Sequence, residues 1–517
     1  MTNIQERIKN ATRNQWIWFS AWAVAVVLIA ILVRSLWVLL LLPPFFELYI
    51  AKYLSKNATH NRRIWFILWT IAVVLFAIWA RSAWVLILLP LLFDIYITKF
   101  VPWTFWKKSK NPIVRKTMEW VDAIVFALVA VYFINTFFFQ NYQIPTSSLE
   151  KSLMVGDFLM VSKLSYGPRA PMTPLSFPLA QHTMPIVGGR SYFERPQWRY
   201  RRLRGFGRVQ RNDLVVFNFP AGDTVALNRQ AVDFYTLVHL YGRERVLNDR
   251  HTFGEIVWRP VDRRENYIKR AIGLPGETIE LRNDSVFINR GFVPDPPFVQ
   301  HNYMIHTDGT RISPQLFRTL GINKSDYLTH DQSGRIVSRG SDLANDNGRV
   351  YSNIPMTAEM VTTLRAKPFV RNIVREREMP GGAYYPLNYR TNWTRSNFGP
   401  LWIPKRGDTI WFNTDNIDFL VAAYERPIKN YEGNDFVFRN GRVYINGQVA
   451  EYYVFRFDYY FMMGDNRYNS ADSRNWGFVP EDHIVGRPVL IWLSLEKDNP
   501  WFGGRIRWNR MFRSARM

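Results

Sequence analysis

The stretch from Gln143 to Lys163, QIPTSSLEKSLMVGDFLMVSK, follows directly on an apolar, aromatic run at 121–139 that is long enough to cross a bilayer. A Pro-led cluster of three hydroxyls, Thr146, Ser147 and Ser148, gives way to spaced apolar residues, Leu149, Leu153 and Val155. A Gly156-Asp157 turn then opens an alternating strand at 158–163. Hydroxyls at a membrane exit, ahead of a strand, suit two roles: a juxtamembrane linker, or a reactive serine held at the bilayer surface. The remaining chain has to separate them.

Mean hydropathy is only −0.17 although 48% of the 517 residues are hydrophobic, so the apolar residues are concentrated, mostly before residue 140. The net charge of +24 and pI of about 10.1 fit nucleic acid, an anionic membrane surface or acidic substrates. The basic residues are scattered through strand-patterned sequence and no nucleic-acid module signature occurs. An anionic lipid surface is therefore the expected partner for the excess charge, and nucleic acid is not. Cysteine is absent, which excludes disulfides, thiolate nucleophiles and Cys-based metal sites without deciding the compartment.

The N-terminal part carries a repeat: Arg34-Ser35-Leu36-Trp37-Val38-Leu39 returns as Arg81-Ser82-Ala83-Trp84-Val85-Leu86, each flanked by apolar runs. With roughly 20 residues needed per span, segments 16–33 and 36–53 form one expected helical hairpin, and 64–80 and 83–100 a second. Basic clusters at Arg7/Lys9/Arg13, Lys52/Lys56/Arg62/Arg63 and Lys107/Lys108/Lys110/Arg115/Lys116 all fall on the cytoplasmic side if a fifth span, 121–139, crosses outward. A three-span alternative buries an arginine in lipid, which costs several kcal/mol. A cleaved N-terminal signal peptide is not expected, because no small-residue cleavage site follows the first run. The expected division is a membrane domain, 1–140, and an extracytoplasmic β-rich domain, 141–517.

In that second domain, 213–219 (DLVVFNF) reads as a strand, 280–288 as a hairpin around Asn283-Asp284, and 436–445 as a hairpin on Asn440-Gly441. Residues 211–218 (RNDLVVFN) resemble 406–413 (RGDTIWFN), and 282–289 (RNDSVFIN) resemble 439–446 (RNGRVYIN), which suggests two related β lobes. Between them, 294–400 is polar and turn-rich with a helical fragment at 356–366, and reads as an inserted cap subdomain. The Pro-, Arg- and aromatic-rich stretch 167–207 reads as a long surface loop. The tail, 501–517, reads as an interfacial anchor or a basic helix.

Two further islands bear chemistry. One is Tyr267-Ile268-Lys269-Arg270-Ala271-Ile272, an apolar strand carrying a lysine; the other is the polar loop Gly464-Asp465-Asn466-Arg467 to Ser470-Ala471-Asp472-Ser473-Arg474. If the strand is in the core, desolvation lowers the Lys269 pKa and frees a neutral amine to take a proton from a serine; otherwise Lys269 is a solvated strand residue. The eight histidines are scattered, with no metal or triad spacing, and Asp465 and Asp472, each followed by an arginine, suit ion-paired scaffolding.

Together the three islands resemble the bacterial signal peptidase I (leader peptidase) family. The blocks occur in order: Gln143-Ile-Pro-Thr-Ser-Ser148 with Leu153 and Gly156-Asp157; Arg211-Asn-Asp-Leu-Val-Val-Phe217; Tyr267 to Gly276; and Gly464 to Arg474, then Trp476-Gly-Phe-Val-Pro480. The resemblance implies a mostly-β peptidase domain behind transmembrane helices, a membrane-bound serine endopeptidase that removes signal peptides from preproteins after an Ala-X-Ala-like motif, and a location on the outer face of the bacterial cytoplasmic membrane. By it, Ser148 is the nucleophile, Lys269 the general base, and Thr146 joins the Ser148 N–H in the oxyanion hole. Ser470 orients the base, while Asp472, Arg474 and Arg270 form a supporting ion-pair network. Tyr142, Ile144, Leu149, Leu153, Tyr267 and Ile268 line the pockets for the substrate's −1 and −3 residues. No metal or organic cofactor is implied. After Ser148 the family has Met and then a Pro-Thr pair where this chain reads Leu149-Glu150-Lys151-Ser152. A non-catalytic β-module that binds exported proteins, and a Ser-Lys hydrolase that cuts a partner or itself, remain the alternatives.

Overall fold

The structure, a computed structural model, describes residues 58–515 apart from 81–82, 99, 178, 186–187, 323–327, 331–335, 339–349, 379–381, 388, 390, 413–414, 497–498 and 500–502. The chain divides into two units: residues up to Phe137 with Leu164–Ala170 and Arg202–Arg208, and all the rest.

In the first unit, α1 (Ala58–Ala80) is followed by a broken helical run, a 3-10 turn (Ala83–Ile87), α2 (Leu88–Phe93) and a π turn (Asp94–Thr98). Pro90 has no N–H to give a regular helix here, and the Asp94 carboxylate closes the run by accepting from Thr98, the Phe100 N–H and the Trp103 indole. Within the expected span at 83–100 the helical run thus changes type along its length, and its Phe93 meets Phe66 of α1 at 5.7 Å. Helix α3 (Pro112–Phe137) starts earlier than the apolar run alone indicates and stops at Phe137. Rings of Phe133 and Phe137 pack on Phe76 of α1 at 5.3 and 5.4 Å. Among the described residues α3 is the one helix long and apolar enough to cross a membrane; Ile64–Ala80 and Val85–Thr98 are shorter apolar segments. The expected spans 16–33 and 36–53 lie outside the described residues.

The second unit is mostly β. In chain order come β1 (Phe139–Gln143), β2 (Asp157–Ser162), β3 (Leu214–Asn218) and β4 (Asn266–Gly273), then a meander of β5 (Thr278–Arg282), β6 (Ser285–Ile288) and β7 (Gly291–Val293). An insert follows: β8 (His301–Thr307), α4 (Pro314–Leu320), β9 (Val350–Met356), α5 (Ala358–Arg365) and β10 (Val370–Arg375). The chain returns through β11 (Phe398–Trp402), which pairs with β5, and ends with β12 (Tyr459–Met463), β13 (Val479–Pro480), β14 (Ile484–Ser494) and β15 (Arg513–Ser514). The main sheet runs β1-β2-β14-β3-β4-β12-β13, with β15 on β14. Its central strands β3 and β12 are buried at every position, which explains why LVVFN and YYFMM read as continuous apolar runs rather than alternating ones.

Both expected hairpins form, each around two positive-φ residues: Asn283 and Asp284 (48° and 68°), Asn440 and Gly441 (51° and 71°). Each continues into a third strand through a second such pair, Asn289-Arg290 and Asn446-Gly447, so the sequence echo is a repeated local meander. The insert has its own core around Tyr303, Ile305, Phe317, Ile354, Met356 and Leu364. It is closed by α4, capped by Ser313, and α5, capped by Thr357. β11 belongs to the meander's sheet, so the insert lies between β7 and β11, close to the expected 294–400. The tail, read from sequence as an anchor or a basic helix, packs onto the main sheet. Arg510 donates to both oxygens of the fully buried Asp157 and β15 extends the sheet, while Trp508 and Phe512 of the same tail stay exposed.

Candidate active site

Strand β1 delivers the chain to a 3-10 turn, Ser147–Leu149, with Thr146 extended (φ −129°, ψ 157°) as its N-cap. Leu149, Leu153 and Ile144 plug this turn into an apolar cluster with Leu159, Val161, Leu214 and Val216. Burial of Leu149 and Leu153 thereby aims Ser148 away from the cluster. Antiparallel pairing of β4 with β3 sets Lys269 opposite Val215, and the Lys269 Nζ donates to Ser148 Oγ at 2.6 Å. Both side chains are buried, at 5% and 8% exposure.

Burial pulls the Lys269 pKa down to about 8, against the attraction of Asp472 and Asp465 and with the help of Arg474. Those two carboxylates are engaged elsewhere. Asp472 takes two bonds from Arg474, Nε to Oδ1 at 2.9 Å and Nη2 to Oδ2 at 2.8 Å, and also accepts from the Gly464 N–H. Burial alone raises its pKa, but Arg474 and these hydrogen bonds hold it below the usual carboxylate value. Asp465 takes two bonds from Arg270 and one from Ser152 Oγ at 2.5 Å. Among the described residues, Lys269 thus sits beside Ser148 with no carboxylate bonded to it.

The ion pairs divide differently from the expected single network: Arg270 serves Asp465, not Asp472. Arg467 pairs with Asp295, at 2.9 Å, and not with the neighbouring Asp465. Ser152, which the sequence reading did not single out, is fully buried and accepts from Arg270 at 3.1 Å; a hydroxyl where the family has the second residue of its Pro-Thr pair was the available signal. Ser470 is buried close to the site, but its hydroxyl donates to the Ala471 carbonyl at 3.3 Å rather than meeting Lys269. Thr146 is exposed and its hydroxyl does not cap the turn.

The six expected pocket residues are not one wall. Tyr142 and Ile268 pack, half-buried, on the cluster that encloses Ile144, Leu149 and Leu153, so the last three form its floor. Strand alternation turns Tyr267 to the opposite face from Ile268. There the Tyr267 ring lies 5.8 Å from the Lys269 Nζ, stacks on Phe219 and meets Trp476 edge-on. Two of the scattered histidines are structural in their bonding: buried His483 meets Asp482 and Arg264, and His182 meets Glu265 and Thr183.

Gly464 joins the two halves of the site. A Cβ there would stand 2.2 Å from Ser470 Oγ and 2.7 Å from the Ser148 carbonyl oxygen, a crowding no side chain tolerates. Next to it, the Asn466 N–H donates to that same carbonyl at 3.1 Å, tying the polar loop to the serine turn.

The chain matches the family described as "Signal peptidase, peptidase S26" over residues 117–341 and 407–493, more than half its length; the interruption falls within and just after the insert. It is 24% identical to Signal peptidase I of Haemophilus influenzae over 407 residues, 78% of each chain. Identity to Signal peptidase I of Buchnera aphidicola subsp. Acyrthosiphon pisum is 23% over 384 residues, 74% of this chain and 77% of that one. A shorter match of 82 residues, 14% of this chain and 28% of its relative, is 38% identical to Signal peptidase I of Helicobacter pylori. With the family matched across both the serine turn and the polar loop, this chain belongs to the signal peptidases of peptidase family S26.

Proposed function

We propose that the protein is a membrane-anchored serine endopeptidase that cleaves signal peptides from exported preproteins, with Ser148 as nucleophile and Lys269 as general base. The 2.6 Å approach of the buried Lys269 amine to Ser148 Oγ carries the reading. The neutral amine takes the hydroxyl proton as Oγ attacks the scissile carbonyl carbon. The oxyanion is held by the Ser148 N–H, which lies in the first turn of a helix where N–H groups have no internal acceptor, together with the Thr146 hydroxyl. Such donors contribute a few kcal/mol each. Collapse breaks the C–N bond, and the Lys269 ammonium returns its proton to the departing amine of the mature chain. Water, deprotonated by the same amine, then hydrolyses the acyl-serine ester and releases the signal peptide. Ser470, Arg270, Asp472 and Arg474 support the base and its loop, and the small −1 and −3 side chains, as in Ala-X-Ala, face Tyr142, Ile268 and the apolar floor beneath them.

The five-span arrangement and the extracytoplasmic position of the peptidase domain belong to the same reading, supported by the basic clusters and by α3 ending two residues before β1. A module that only binds exported proteins has no use for a desolvated lysine on a serine. Cleavage of a preprotein by the full chain in detergent, compared with Ser148→Ala and Lys269→Ala, tests this. Both variants are expected to lose at least about a thousandfold in kcat. Cleavage by either at the wild-type rate overturns the mechanism, and wild type that binds without cutting overturns the activity.

A further inference from the structure

The insert is joined to the site rather than perched away from it. Gln300, just before β8, bridges the polar loop in parallel: its N–H donates to the Asp465 carbonyl at 2.8 Å and its carbonyl accepts from Arg467 at 2.9 Å. On the other side, Lys151 takes a left-handed conformation (φ 73°) and its ammonium bonds the carbonyl of Gly321, the C-cap of α4. The insert is thus fastened to both chain segments that build the site. It also walls two adjoining cavities, a polar one of about 370 Å³ and a mixed one of about 700 Å³, which share Asn353, Glu376 and Arg377. The smaller has Asn302 on its insert side, and Tyr468 and Asn469 on its site side. Asn469 Nδ2 in turn donates to Ser147 Oγ at 3.0 Å, so the near end of the cleft is one residue from Ser148.

We propose that this cleft is a second substrate subsite, holding the first residues of the mature polypeptide downstream of the scissile bond. This rests on the endopeptidase reading above. The direction follows from chemistry: the apolar floor of Ile144, Leu149 and Leu153 suits the signal-peptide side. The insert's carboxamides, carboxylates and guanidinium groups suit an extended, polar, freshly exported chain whose peptide groups need hydrogen-bond partners. Each cavity by itself has a volume in the range of ligand-holding pockets.

The test uses the full chain in detergent and two substrates with the same signal sequence, one continuing for about eight mature residues and one for about two. Wild type is expected to favour the longer about tenfold in kcat/KM, and Arg377→Ala and Asn302→Ala to cut that preference to about threefold or less. Wild type that cleaves both equally, or variants that keep the full preference, overturn the subsite. Wild type that cleaves neither overturns the peptidase reading, and the subsite with it. Should both variants fail to fold, a photo-cross-linker a few residues downstream of the cut, in substrate bound to Ser148→Ala, decides. Adducts on β8–β10 or Tyr468-Asn469 support the cleft, and adducts elsewhere alone overturn it.

Discussion

Arg270 and Asp465 form a two-pronged ion pair, Nε to Oδ1 at 2.7 Å and Nη2 to Oδ2 at 2.6 Å, one residue along the strand from Lys269. Both are about 1% exposed. Replacing Asp465 by alanine strands a buried guanidinium and is expected to destabilise the protein by about 3–5 kcal/mol. Arg270→Met together with Asp465→Leu is expected to cost less than Asp465→Ala alone. Thermal unfolding of the full chain in detergent measures both; a double variant less stable than the single one contradicts the burial argument.

Lys269 dictates a pH dependence. Its pKa of about 8 means the neutral amine grows as pH rises through that value, so kcat is expected to climb about tenfold per pH unit below it and level off above. The same shift affects stability. Between the folded value and the ordinary 10.5, the unfolded chain binds a proton that the folded one does not, so this group's contribution to stability rises with pH across the window. Lys269→Met is expected to remove that rise. Rate profiles and denaturation at pH 7–10.5 read the two effects; a flat acid limb in wild type argues against lysine as the base.

Gly464→Ala is expected to lower cleavage by at least about a hundredfold, since the new methyl must displace Ser470 or the Ser148 carbonyl and a misplacement near 1 Å costs about that much. Because the clash is local, the pH at which the remaining activity is half-maximal should also move. Near wild-type activity in this variant means the loop yields more easily than its hydrogen bonds suggest.

Topology separates five spans from three. Reporter fusions at residues 57 and 110 are both expected to report the cytoplasm. An external signal at residue 57 eliminates the five-span arrangement.

The sequence by itself determined the local features. Asn440-Gly441 and Asn283-Asp284 specify turns through their tolerance of positive φ, the apolar runs specify buried strands, and the family motifs singled out Ser148 and Lys269, which the structure brings within 2.6 Å. Only the tertiary structure decided which charges meet. Arg270 has Asp465 and Asp472 as equally plausible carboxylates in sequence, and the choice follows from β4–β12 register, which sets Arg270 opposite Met463 and brings Asp465 to its guanidinium. Arg467 goes to Asp295 and Arg510 to Asp157, pairs separated by about 170 and 350 positions. The physical reason is that residue type and period record propensities over a turn or a strand. A buried ion pair is selected by distance in a low dielectric, and that distance exists only once the strands are in register.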